Sequence, residues 1–232
     1  MKQFARLLML TLIVGCLSAL TGCSSNSPNS NVAEIRAVDA CSNGGTATII
    51  INEGTAAGQQ TFFQASPYLF LQGGAAGFQF TLTGPPAGTF AAPNEVIAAG
   101  GVYSAVMIGR ADVTDEIDAR FPKLVFLQDN TGRIAGGSAG LRVLNAAPDS
   151  PNVDLVVDGA VVASNTSYAH NSGYVSVPPG GRSVQVNQAG TSTVLAGPQN
   201  ISLAVGKHYT IYFVEPDVST PTFGLRLLGD NP

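Results

Sequence analysis

From Ile35 onward, short apolar runs rich in Val, Ile, Leu, Phe and Tyr alternate with Gly, Pro and Asn, and no stretch holds a helical period over several turns. Runs of this length with period two are half-buried strands, so the pattern predicts an all-β chain. In the C-terminal half, strands are expected near 141–146, 153–157, 161–163, 173–177, 182–187, 192–195, 200–205, 208–215 and 223–228. So many short strands in roughly 90 residues imply a sandwich of two sheets. ADVTDEIDARFP, residues 111–122, is the sole candidate for a short helix. Phe62, Phe63, Tyr68, Phe70, Phe78 and Phe80 fall in strand-like alternation, which places them in a core rather than on a sugar-stacking platform.

The same pattern occurs twice. IRAVDA (35–40) matches LRVLNA (141–146), TIIIN (48–52) matches DLVVD (154–158), Tyr68 matches Tyr174, and AGGVYS (99–104) matches VGKHYT (205–210), all at an offset of 106 residues. LVFLQDN (124–130) then matches LRLLGDN (225–231) at an offset of 101, so the first copy carries extra residues within 111–122. The expected organisation is therefore all-β, with two tandem Ig-like, Greek-key-type β-sandwich domains at 34–130 and 141–232, joined by a linker at 131–140. A single continuous barrel is the alternative, and the two full-length copies disfavour it.

The first residues stand outside this pattern. Lys2 and Arg6 precede an apolar run from Leu7 to Leu20, and small residues follow, as in a targeting segment. Leu20-Thr21-Gly22-Cys23 resembles the bacterial lipobox, which implies cleavage before an acylated Cys23, a signal peptide at 1–22 and a flexible tether over 23–33. Ile13-Val14-Gly15-Cys16 fits the same pattern but leaves an apolar LSAL stretch behind the cut. An uncleaved span is disfavoured because the apolar run falls short of the roughly 20 residues a bilayer requires. Several acyl chains on Cys23 would make the bilayer the first partner. Cys41 would then be the one cysteine left besides the lipidated one, so no internal disulfide is expected, and a buried, apolar role fits it.

Charged residues make up only 11% of the chain, and the net charge is −4 with no Lys/Arg cluster. That removes the electrostatic footprint of a nucleic-acid partner.

The second copy resembles the bacterial domain-of-unknown-function family number 4397. The resemblance rests on VLNAAPDSPNVDLVVDG (143–159), GYVSVPPG (173–180) and LAVGKHYT (203–210). The first copy keeps the frame but has CSNGGTATIIINEG in place of the Pro-Asp and Val-Asp elements. The resemblance implies a β-sandwich module outside the cytoplasm and no established activity.

Asp149, Asp154 and Asp158 are clustered enough to raise calcium or acid/base chemistry. On a strand, however, four residues separate Asp154 from Asp158 by about 13 Å. Their equivalents in the first copy are Asn43, Thr48 and Asn52, so no carboxylate is repeated. Pro148-Asp149 suits a turn and Asp158-Gly159 a tight hairpin. Asp154 is expected to accept N–H groups from the 147–152 loop, and Asp149 and Asp154 remain the metal candidates. GGSAG (136–140) matches the nucleophile-elbow pattern around Ser138 but leads into a strand rather than a helix. His170 and His208 have Gln64 and Val102 as equivalents, lack local metal-ligand spacing, and read as solvated or hydrogen-bonded.

No cofactor, metal or catalytic residue is expected. The expectation is a noncatalytic cell-envelope lipoprotein, lipid-anchored through Cys23, that acts as a structural or protein-interaction module. Its site would be the outer membrane if the cell is Gram-negative, because Ser24 rather than aspartate follows the lipid-bearing cysteine. An accessory module binding a glycan or small ligand is the alternative.

Overall fold

The computed structural model describes residues 31–52, 54–84, 87–129, 134–215 and 222–232. Cys16, Cys23 and the rest of residues 1–30, which include most of the expected tether, lie outside the described residues. The first domain contains β1 (Val32–Ser42), β2 (Thr46–Ile51), β3 (Thr55–Thr61), β4 (Leu69–Gln72), β5 (Gly74–Leu82), β6 (Gly88–Ile97), β7 (Val102–Arg110) and β8 (Lys123–Asp129). The second repeats them as β9 (Ala139–Asn145), β10 (Val153–Val157), β11 (Ala160–Thr166), β12 (Val175–Val177), β13 (Gly180–Gln188), β14 (Val194–Leu203), β15 (His208–Val214) and β16 (Gly224–Gly229). The sheets are β4-β1-β7-β8 and β3-β2-β5-β6 in the first domain, and β12-β9-β15-β16 and β11-β10-β13-β14 in the second. The chain thus forms the expected pair of tandem all-β sandwiches.

Period-two patterning builds each core. Ala47, Ile49 and Ile51 on β2 oppose Leu82, Phe80 and Phe78 on β5, and all six side chains are buried between the sheets. Leu155 and Val157 oppose Val186 and Val184 in the second domain. Each domain holds its first strand in parallel against its seventh: β1 against β7, and β9 against β15, with Arg36 beside Ser104 and Arg142 beside Thr210.

These four strands are apolar on both faces, the signature of a strand covered on both sides. Ile35, Ala37, Ala105 and Met107 point into the first core, whereas Val38, Ala40, Val106 and Ile108 belong to a separate cluster with Leu144, Ala146, Tyr212 and Val214 of the second domain. The domains are therefore not beads on a linker. Their β1 and β9 sheets pack face to face, giving four sheet layers and three hydrophobic cores.

Three expectations are corrected. Residues 111–122 form successive turns, not a helix. Asp115 and Asp118 carboxylates accept the Ile117 and Arg120 N–H groups, and Pro122 closes a segment too short to pay for helix nucleation. The segment crosses β7 at Gly109 (φ 115°), where a Cβ would stand 2.8 Å from the Arg120 carbonyl oxygen. The strands expected at 192–195 and 200–205 are one strand, β14. It is an edge strand bonded to β13 alone, so the Pro198 that reads as a breaker is tolerated with a bulge beside it. Phe70, finally, is 76% exposed. It pairs with Glu34 on short edge strand β4 rather than entering the core.

Candidate functional site

Arg36 on β1 and Arg142 on β9 both project away from their own core into the seam between the domains. Arg36 donates from Nε to Ser104 Oγ (2.7 Å), from Nη1 to the Gly229 carbonyl (2.6 Å) and from Nη2 to Asp230 Oδ1 (2.6 Å). Arg142 repeats this with the domains exchanged: Nε to Thr210 Oγ1 (2.8 Å), Nη1 to the Gln128 carbonyl (2.9 Å) and Nη2 to Asp129 Oδ1. The second oxygen of Asp129 accepts the Ser104 and Tyr68 hydroxyls, and that of Asp230 accepts those of Thr210 and Tyr174. Each guanidinium also lies over a tyrosine, Arg36 at 5.0 Å from the Tyr68 centroid and Arg142 at 4.3 Å from that of Tyr174. Within this cluster every contact made by one domain is returned by the other, as in a pseudo-twofold dimer.

The four charges sum to zero, and both aspartate side chains are fully buried. Burial alone costs several kcal/mol per ion, offset only when geometry and hydrogen bonding are nearly complete. Here each arginine finds its close carboxylate across the seam, and its own domain's aspartate (Asp129 for Arg36, Asp230 for Arg142) stays 3.8 Å away. The compensation therefore exists in one relative placement of the domains. Burial and the nearby Asp230 push the Asp129 carboxyl up, against the pull of Arg142 and Arg36. With its donors directed at protein acceptors, the cluster is suited to holding two faces in register rather than to proton transfer.

The seam is not symmetric throughout. Phe63 packs edge-on against Tyr212 at 5.4 Å, Lys123 lies 4.7 Å over the Tyr168 ring, and Ser42 donates to the Glu215 carbonyl. At one side an opening of about 360 Å³ is bounded by Arg142, Tyr174, Ser176 and His208.

The structure does not bring the three aspartates of 145–159 together into one site. Asp149 sits in the turn closed by Ser150 N–H to the Ala147 carbonyl, and its carboxylate meets Arg110 and Arg120 of the first domain. Asp158 (φ 49°) and Gly159 (φ 82°) form the β10–β11 hairpin, and the Asp158 carboxylate accepts Ser183 N–H and Arg182. Its equivalent Asn52 (φ 48°) accepts Gly77 N–H in the same way, which explains why Asn substitutes there.

Asp154 does not hold the 147–152 loop. Its two oxygens accept Asn165 N–H (2.7 Å) and Gly190 N–H (2.9 Å), joining the β11 end to the β13–β14 turn. Asn145 does the job assigned to Asp154: its Oδ1 accepts Ala147 N–H and Ser150 Oγ, and its Nδ2 donates to the Pro151 carbonyl. Among the described residues, no group of three or more His, Cys, Asp and Glu side chains is placed to hold a metal.

His170 is exposed, and its Nδ1 lies 2.9 Å from the Tyr168 carbonyl and 3.1 Å from Ser167 Oγ. His208 is buried at the seam on β15, with its ring 4.7 Å from that of Tyr174. Ser138 precedes β9 in a turn and accepts Gly206 N–H on its carbonyl. Cys41 is fully buried in β1, and burial pushes its thiol up, away from reactivity.

Sequence reasoning missed the charge cluster, although its signal was present. Arg36 and Arg142, and Ser104 and Thr210, stand at the offset of 106; Asp129 and Asp230 stand at 101. The repeat comparison that finds no carboxylate duplicated at Asp149, Asp154 and Asp158 selects these instead.

Fold and seam together define a tandem β-sandwich protein built from two like modules facing each other. A family model described as Domain of unknown function (DUF4397) matches residues 33–155 and 139–232, and the chain belongs to that family. No curated protein matches the chain. Among solved structures, the chain is similar to a leucine-rich repeat protein from Bacteroides thetaiotaomicron VPI-5482, at 10% identity and a TM-score of 0.20. That alignment covers 78% of this chain and 25% of the other, so the chain spans about a quarter of that protein's length.

Proposed function

We propose that this protein is a noncatalytic cell-envelope lipoprotein, anchored through acylated Cys23, whose two sandwiches act as one rigid structural or protein-interaction body. The observation that carries the reading is the seam: the charged residues repeated in both copies are spent on locking the domains together. A body of fixed geometry on a short Ser/Asn/Pro tether suits presentation of a surface at a set distance from a bilayer. Mass spectrometry of the mature N-terminus with membrane fractionation tests the anchor. A diacylglyceryl-modified Cys23 in the membrane fraction is expected, and an unmodified soluble product starting elsewhere rejects it.

A glycan-binding reading is favoured by one feature. The outer face of the β11-β10-β13-β14 sheet carries an open groove of about 500 Å³ lined by Gln185, Asn187, Thr191 and Ser192. Saturable glycan binding lost in Asn187→Ala would select that role over a protein partner.

A further inference from the structure

We infer that the two seam faces are an unlike-specific docking pair: the partner that fits the face of the second domain is a first domain, whether or not a peptide bond joins them. The symmetric charge cluster alone would let either domain pair with its own kind, because each carries an arginine, an aspartate, a hydroxyl and a tyrosine in the same places. The contacts around it would not. Position 106 is Val where its equivalent is Tyr212, and position 63 is Phe where its equivalent is Ala169. Phe63 against Tyr212 thus exists only in the unlike pair, and two second domains would bring Tyr212 together with Ala169 instead.

The same holds at the rim. Arg110, which grips Asp149, has Pro216 as its equivalent, and Lys123, which covers Tyr168, has Gly224. A second domain paired with itself would lose both. One ring of charges therefore sets the register, and divergence around it sets the partner, as specificity requires a difference between partners rather than affinity alone. This inference is independent of the lipid anchor.

The test uses the full chain in mild detergent, with a protease recognition site inserted between the exposed Gly136 and Gly137 and an affinity tag after Pro232. After complete cleavage, confirmed by release of the N-terminal half in urea, the halves are expected to stay together as a 1:1 unlike pair by native mass spectrometry. Mixing two isotopically distinct nicked populations should yield exchanged unlike pairs only. Separation of the halves at micromolar concentration overturns the inference, and so does the appearance of like pairs. Tyr212→Val in the nicked chain is expected to weaken association on the order of tenfold or more by leaving Phe63 without its packing partner. Unchanged association, with each half still giving its native circular dichroism, would count against the unlike-specific seam.

Discussion

The two domains share the order of their strands and differ at a buried hub. In the second, Asn145 satisfies the 147–151 loop with both ends of its amide. In the first, Asp39 occupies the equivalent place and accepts Cys41 N–H as Asn145 accepts Ala147 N–H. Its other oxygen has no hydrogen-bond partner among the described residues, and burial pushes the carboxyl up to about 7. One module has been completed by an amide and the other left with an acid. The repeated seam and the divergent hub show which residues the pair of modules needs and which each module can change alone.

The largest effect is expected at the seam. Arg142→Ala leaves Asp129 and Asp230 buried with half their compensation, which costs on the order of 3–5 kcal/mol by denaturant unfolding. Arg36→Ala should cost about the same. A marked inequality between the two would break the pseudo-twofold comparison.

Asp39 comes next. Its folded pKa lies above the ordinary value, so folding takes up a proton between about 4 and 7. Stability is fully present below that window, falls as pH rises through it, and is flat above. At ~1.4 kcal/mol per pKa unit the total is on the order of 4 kcal/mol. Asp39→Asn, which makes the first hub like the second, should remove this slope and raise stability at pH 8. An identical pH profile in wild type and variant would show that the hubs do not differ as described.

Asp154→Asn loses one of two backbone acceptor contacts and should cost about 1–2 kcal/mol, equally with calcium or with chelator. A calcium-dependent melting shift confined to wild type would restore the metal reading. The smallest effect is expected for Asp149→Ala. Its two arginine contacts are partly exposed, so the loss is roughly 0–1 kcal/mol and shrinks further in high salt.

Much of this was legible in the pattern. Alternation at Ala47-Ile49-Ile51 and Val153-Leu155-Val157 located strands and cores, and the offset located both modules. Phe70 misled because edge strands carry the same residues as central ones, and exposure depends on a neighbour the local pattern does not record. Arg36 and Arg142 do not stand out as seam residues, because an isolated arginine in a strand reads as solvent-facing. Only the packing of one sheet on another turns it inward, and that packing appears in sequence just as apolar residues on both faces of β1, β7, β9 and β15.

The parallel pairing of β1 carries a mechanical consequence. The chain enters the first domain directly through this strand, which is bonded to β7 along nine consecutive residue pairs and to β4 on its other edge. A pull on the N-terminus along the strand loads that whole row of hydrogen bonds in shear, so they must fail together rather than unzip one at a time. The strand by which the chain enters the first domain is thus the one whose geometry best resists being drawn out by force.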